Sequence, residues 1–396
     1  MYLKFLLSLR YLSLIFFLPI TIIFGIFIKI IKPILIVRWS HLINTRIGHY
    51  LTNPDLYLLE KKDKIQSQNI KYFDIFYKPG LISCNKQIDK MWSQKLNILP
   101  WFLIYPLEFL RKRGLIFSNE NTFKTSARDI NNLIDTSKPN LKFSNNEILK
   151  GEKFLESQGL SPNDRFVCLM ARDEAYLNKN YEYHYFRNAN IENYKKSCEF
   201  LNSKNIFVFR MGKKVKKKIS FQSKKTIDYA NSDLRNDFLD IYLGSKCLFW
   251  LSTGSGIDST AQVFRKPIAY TNQVPIGHIT TYQKNALVIF KHYFDSLTHE
   301  KIKYSDLIKK NLAFAYSGDQ FIKNNIYIKD NSENEILELT KEMISRIENS
   351  FWSHYPKNKD KQVKFWQKFP YIKELHGTIT SNIGKNFIDK NENLIS

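Results

Sequence analysis

Acidic side chains are scarce in this 396-residue chain: 37 Asp and Glu stand against 60 Lys and Arg, a formal charge of +23. Such an imbalance raises three anionic partners: nucleic acid, anionic lipid or a phosphorylated substrate. Lys, Asn and Ile are frequent everywhere, however, so most of the excess reads as composition, with Lys filling exposed positions. No RNP-like aromatic strand or recognition-helix motif accompanies the charge, so no nucleic-acid partner is expected. Cysteine is sparse too. Cys84, Cys168, Cys198 and Cys247 are far apart, and Cys168 and Cys247 sit in apolar runs suited to buried thiols, which excludes a disulfide framework. The 8 histidines include no HExxH and no Cys/His pairing at zinc spacing, so neither a metal site nor a cofactor is expected. There is no repeat at a solenoid period.

What remains is globular, with 43% hydrophobic and 24% charged residues, and the length is that of two domains. Residues 11 to 28 carry no charged side chain and are flanked by Lys4 and Arg10 before, and Lys29, Lys32 and Arg38 after. A bilayer span takes ~20 such residues. No small-x-small cleavage site follows, which weakens a signal peptide, and the basic flanks suit snorkelling at an interface. Pro19 and Gly25 count against a straight spanning helix. The stretch therefore reads as a membrane-associated helix over residues 1–32, on the cytoplasmic side, spanning or lying in the interface, with a buried helix as the alternative.

Further on, Ile34–Val37 reads as a strand, with Arg46, Gly48 and His49 in the loop that follows it. Ile70–Tyr77 and Leu81–Ser83 suggest more strands, and Ser144 caps a helix over Asn145–Gln158 closed by Gly159. That helix marks a border, giving domains at 33–160 and 161–330 and a helical tail at 331–396. Beyond it strands and helices alternate: Arg165–Met170, a helix over Ile191–Asn202, Ile206–Phe209, Thr226–Tyr229, a helix over Leu234–Leu243, then Cys247–Leu251. This alternation predicts a parallel sheet whose strand ends share a crevice. Arg172, Arg210 with Gly212, and the turn Thr253-Gly254-Ser255-Gly256 each follow a strand and should converge there. The glycines let backbone approach a phosphate beside unpaired helix N–H groups, although the turn matches neither GxGxxG nor the P-loop and an ordinary βα turn stays open.

Taken together, RIGH, ARDEAY, FRNANIENY, VFRMG, IDYA and LFWLSTGSGIDSTAQVF resemble a family of bacterial glycosyltransferases of surface-polysaccharide clusters. The strand-SG-helix piece is similar to the nucleotide-binding half of heptosyltransferase-like enzymes. The resemblance implies an α/β fold of GT-B type, two Rossmann-like domains facing a cleft, behind the N-terminal hydrophobic helix. It implies metal-independent transfer of a sugar from a nucleotide-sugar donor to a glycan or lipid-linked acceptor, at the cytoplasmic face of the inner membrane in cell-envelope polysaccharide biosynthesis. A nucleotide-sugar epimerase on the same scaffold and a basic polyanion-binding protein are the alternatives. Arg172 and Arg210 would neutralise the departing phosphate, and Thr253–Gly256 would offer N–H groups and hydroxyls. Arg46 and Gly48 would bind substrate. His49 is the candidate base, against a structural His bonding a backbone carbonyl; Asp173 is its rival, against pairing with the neighbours of Arg172 or capping the following turn. Asp258 would repel a phosphate unless it points to a ribose or caps locally. Asp228, Arg235 and Asp237 read as capping and ion-pair residues, and KKVKKK at 213–218 as a solvated loop or an attractor of anionic headgroups.

Overall fold

The computed structural model describes residues 2–63, 71–176, 179–353 and 359–392. The chain divides into two compact units, Met1–Ala127 and Arg128–Ser396.

In the first unit α1 (Tyr2–Ile31) leads to β1 (Ile36–His41), α2 (Ile47–Lys62), β2 (Tyr72–Tyr77), α3 (Lys86–Ser93), β3 (Ile98–Leu99) and α4 (Trp101–Lys112). The strands form a parallel sheet in the order β1-β2-β3. Its register pairs Arg38 with Asp74 across neighbouring strands, and the two side chains form a bidentate ion pair at 2.7 and 3.0 Å. Burial would raise the Asp74 carboxyl, but hydrogen bonds from Arg38 and Tyr57 outweigh it and hold it below its usual value. Removing Asp74 would leave the buried Arg38 guanidinium without its carboxylate, so the pair favours this register. Two expectations are corrected here. The first strand runs two residues later than Ile34–Val37, and 81–83 forms no strand. Gly48 and His49 lie not in a loop but in the first turn of α2, with Arg46 at its N-cap.

The second unit carries β4 (Arg165–Met170), β5 (Ile206–Arg210), β6 (Thr226–Ile227), β7 (Trp250–Ser252), β8 (Ile268–Gln273), β9 (Ala286–Phe290), β10 (His292–Asp295), β11 (Ile326–Lys329) and β12 (Asn382–Ile383). Seven of these form an all-parallel sheet in the order β12-β9-β8-β7-β4-β5-β6, and β10 and β11 pair antiparallel. Parallel strands buried on both faces should read as unbroken apolar runs. Val167, Cys168 and Leu169 of β4, Val208 and Phe209 of β5 and Ala286, Leu287 and Val288 of β9 are fully buried. Helices Lys195–Ser203, Asp237–Lys246 and Ser259–Val263 connect successive strands.

From β4 the chain steps outward to β5 and β6, then returns to the other side of β4 and continues through β7, β8 and β9. This is the Rossmann order, and the reversal falls between β4 and β7. At such a switch point the connections leave in opposite directions and open a crevice at the carboxyl ends of the two strands.

The helix expected at the border, Asn145–Ser157, starts at a capping box: Ser144 Oγ accepts from the Glu147 N–H while Glu147 accepts from the Ser144 N–H. Caps of this kind contribute about 1 kcal/mol. The helix packs inside the second unit, its Gly151 so close to Tyr242 that a Cβ would lie 2.1 Å from that ring. Helix Glu333–Glu348, capped by Ser332, packs back on Lys195–Ser203, where Thr340 Oγ1 donates to Ser197 Oγ at 3.2 Å.

Candidate functional site: a cationic crevice at the switch point

The carboxyl ends of β4 and β7 are joined by their own backbone. Thr253 N donates to Met170 O at 3.0 Å, and Arg172 N donates to Thr253 Oγ1 at 3.0 Å. Thr253 is 5% exposed, so its hydroxyl serves the fold as well as any ligand. Gly254 follows with φ +77, a left-handed conformation that L side chains rarely adopt, and a Cβ there would meet the Gln273 amide at 3.2 Å.

Asp258 closes this turn on itself. Its Oδ2 accepts from Ser255 N at 2.7 Å and from Ser252 Oγ at 2.5 Å, and the residue is 4% exposed. Burial pushes its carboxyl up to about 6, the two hydrogen bonds and the charge of Arg187 opposing. Of the two roles left open for Asp258, the local cap is the one built. It also takes the Ser255 N–H expected to face a phosphate, and the α-helix after it spans only Ser259–Val263. A dipole-based phosphate cradle at Ser255 and Gly256 is therefore replaced by side-chain cations.

Those cations are gathered around the turn. Arg187, half-buried, donates from Nη2 to Gly254 O at 3.2 Å. Burial depresses its guanidinium, and Arg128 adds to the effect while Asp258 opposes it. Arg172 is lowered to about 10 by burial and by the charge of Arg187. Lys291 is 3% exposed; it pairs with Asp330 at 2.8 Å and donates to Asn188 O, and burial, with Arg172 nearby, depresses its ammonium. Arg128 reaches Ile279 O at 3.1 Å, and the His278 imidazole is lowered by burial, then by Arg128 and Arg187. Three arginines that oppose one another's charge, with Asp258 as the carboxylate acting on Arg187, make a field in which a polyanion is stabilised. Arginine forks suit phosphate oxygens.

Other expected site residues lie elsewhere. Arg210 does not reach the crevice: it is 1% exposed, and its Nη1 donates to Asp228 Oδ1 at 3.1 Å and to Lys217 O at 2.8 Å. It stands at the end of β5, one strand from the reversal, where a buried charge needs a partner and Asp228 supplies it. Gly212 follows it, and a Cβ there would come within 2.9 Å of Val215. Asp173 accepts at both oxygens from main-chain N–H groups, Ala175 at 2.9 Å and Lys216 at 2.8 Å, and its Oδ2 lies 3.7 Å from Arg210 Nη2, so it caps a turn and pairs with a buried cation. Arg235 pairs with Asp240 at 2.7 Å, and Lys213, Lys214, Lys216, Lys217 and Lys218 are exposed as a solvated loop. In the first unit His49 Nδ1 lies 3.4 Å from Asn53 Oδ1, and Gly48 O accepts from Thr52 Oγ1 at 2.9 Å.

Arg187, Lys291 and Arg128 escaped the sequence reading. Arg187 belongs to the FRNANIENY segment, but it reaches the crevice through a 3₁₀ turn, Lys179–Arg187, with no periodicity to reveal it. Lys291 did leave a signal, a cation set directly after the apolar run Ala286–Phe290.

No family model matches the chain, and no curated protein matches it. Among solved structures it is similar to a glycosyl transferase family 9 protein of Veillonella parvula, at 10% identity over 79% of this chain and 98% of that one, TM-score 0.45. It is similar to the ADP-heptose lps heptosyltransferase II of E. coli, at 10% identity over 79% and 100%, TM-score 0.43. S. aureus MnaA, solved with UDP, aligns at 11% identity over 96% and 85%, TM-score 0.27. The strand order and the crevice define the class by themselves: a doubly wound α/β protein with a cation-lined crevice at its switch point.

Proposed function

We propose that the chain is a glycosyltransferase that moves a sugar from a nucleotide-activated donor to a glycan or lipid-linked acceptor of the cell envelope. The observation that carries this reading is the set of Arg128, Arg172, Arg187 and Lys291 around the β4–β7 reversal. A nucleoside diphosphate is the ligand such a place suits, with the base and ribose beside the sheet end and the phosphates against the guanidinium groups.

When the glycosidic bond to the phosphate breaks, the sugar becomes oxocarbenium-like and negative charge grows on the leaving oxygen. Arg172 and Arg187 stabilise that charge in a partly dry setting, where it is worth more than in water, and take the part that a divalent cation plays in other transferases. Asp258 holds the turn that carries Gly254 O, the acceptor for Arg187, and so fixes the angle of that guanidinium. For the acceptor hydroxyl, His49 remains the proposed base, with Arg46 and Gly48 beside it; Asp173, held by two main-chain N–H groups, is its rival. The apolar helix α1 supports a place at the cytoplasmic face of the inner membrane.

A thermal-shift series with UDP, ADP, GDP and CMP tests the reading. One nucleotide should raise the melting temperature of the parent, and Arg172→Ala with Arg187→Ala should abolish that rise. An absence of any nucleotide effect would remove the donor site. Release of an epimerised sugar from a nucleotide-sugar without acceptor would move the assignment to an epimerase.

A further inference from the structure

We infer that a cavity of about 760 Å³ between α1 and the strand ends of the first unit holds the anionic headgroup of a membrane-embedded amphiphile, a lipid phosphate or lipid-linked phosphosugar. This deepens the proposed function, because such an amphiphile would be the acceptor.

Residues Tyr11–Ile31 are apolar enough to cross a bilayer, and only 17% of an 18-residue window within them is buried. Yet the helix is seated lengthwise on the first unit. Ser13 Oγ donates to Phe102 O at 2.6 Å, the Phe17 and Phe102 rings stand 5.5 Å apart, and Ile28 joins Ile104 and Leu107 in one core cluster. Gly25 approaches so closely that a Cβ would lie 2.8 Å from both Ile116 and Phe117. From Ser13 to Ile28 one side of the helix is therefore protein. The other side is bare, with Ile15, Phe16, Ile20, Ile23 and Ile30 each more than 60% exposed (69, 67, 64, 71 and 69%). A helix packed on one side and apolar on the other fits the plane of a single leaflet, its bare face among acyl chains.

The cavity lies at the inner side of that helix. Tyr11 and Leu14 line it from α1, and His41 and Tyr77 line it from the carboxyl ends of β1 and β2, where parallel sheets bind ligands. Its size is that of a site for a small ligand. Trp101 and Tyr105 of α4 give it aromatic faces, amphipathic surfaces suited to sugar rings and to the headgroup zone.

Charge selects the headgroup. Glu108 lines the cavity but is engaged by Arg111 at 2.8 and 2.6 Å and by the Trp39 indole at 3.1 Å. Burial would raise its carboxyl, but the Arg111 and Trp39 hydrogen bonds outweigh it and hold it ionised and matched. Lys112, 67% exposed at its side chain, also stands 3.7 Å from Glu108, and Arg113 stacks 3.6 Å over the Phe109 ring, so two cations against one carboxylate leave the lining net positive. A helix with a bare apolar face, beside a cavity with aromatic walls and a net positive lining, matches an amphiphile whose head is a phosphate.

The probe is tritiated farnesyl phosphate, offered to the full chain in dodecyl maltoside micelles and measured by equilibrium gel filtration, with UDP binding recorded on the same preparations. Saturable binding is expected, with Leu14→Trp, which fills the cavity, and Lys112→Glu, which inverts a charge at its edge, each weakening it at least tenfold. An unchanged far-UV circular dichroism spectrum and melting temperature in both variants show that they are folded. Parent-like affinity in both variants would overturn the inference. Full displacement by inorganic phosphate would reassign the cavity to free phosphate, and displacement by farnesol as effective as by farnesyl phosphate would remove the headgroup from the recognition. A parent chain that binds farnesyl phosphate but no nucleotide would sink the donor reading and leave the lipid site standing.

Discussion

The main-chain N–H of Arg172 is bonded to the hydroxyl of Thr253, at 3.0 Å, across the two strands between which the sheet reverses. One residue of the pair brings the cation and the other the turn, so the bond ties the two sides of the crevice together. Thr253→Val removes the acceptor and leaves the Arg172 N–H unsatisfied at a site 5% exposed at residue 253. A loss of about 1–3 kcal/mol in urea unfolding is expected. Thr253→Ser should restore most of it.

Stability and binding should move apart at Arg187. Its guanidinium is depressed by burial and by Arg128, so Arg187→Met removes a costly charge from a crowded positive field. The melting temperature of the free protein should stay level or rise, while nucleotide affinity should fall by roughly 10–100-fold, the loss of one or two charge-assisted hydrogen bonds. A parallel fall in both quantities would make Arg187 a structural residue only.

Arg210 should behave in the opposite way. Asp228 is fully buried at its side chain and also accepts from Ile219 N at 3.2 Å and Asn231 Nδ2 at 2.6 Å, so it cannot leave when its partner is cut away. Arg210→Ala should cost about 3–5 kcal/mol in denaturant unfolding. Joint replacement of Arg210 and Asp228 by Met and Leu should recover much of that loss.

Asp258 sets a pH signature. Its carboxyl is raised from 3.8 to about 6, so between these values the folded chain binds a proton that the unfolded chain lacks. Its stabilising contribution is present below pH 3.8 and is lost as pH rises through 6. Asp258→Asn keeps an acceptor oxygen and carries no charge. Its stability relative to the parent should therefore improve between pH 4 and pH 7, by up to about 3 kcal/mol. Equal profiles for the two proteins would show that Asp258 titrates normally.

His376 adds the opposite slope. Its Nδ1 accepts from Ile372 N at 2.8 Å and its Nε2 faces Gly277 O at 2.8 Å, an arrangement that suits the neutral ring, and burial lowers it from 6.5. The unfolded chain takes up this proton first, so stability is full above pH 6.5 and is lost as pH falls below it. His376→Gln should flatten that limb in thermal melts from pH 7 to 5.

The sheet of the second unit was legible because its strands are unbroken apolar runs set between amphipathic helices. The turn at Gly254 was legible because its glycine stands at the end of such a run. Arg210 misled for the same reason: a cation after a strand signals the edge of the sheet, but only the strand order says whether that edge borders the reversal. Arg187 was hidden by the irregular 3₁₀ segment that carries it. In the first unit, pattern placed the first strand two residues early, because Ile34 and Leu35 are as apolar as the strand itself while Arg38 looks polar until its partner Asp74 is known.

The pairing of β12 with β9 has a consequence for how the molecule is made. β12 at Asn382–Ile383 lies beside Leu287–Val288, so 95 residues separate the paired positions Leu287 and Asn382. A nascent chain that has emerged as far as residue 350 holds the other six strands of the large sheet, with β9 as a bare edge. Until β12 arrives, that edge is open to another chain, and a ribosome stalled in this interval would present a surface that chaperones must shield.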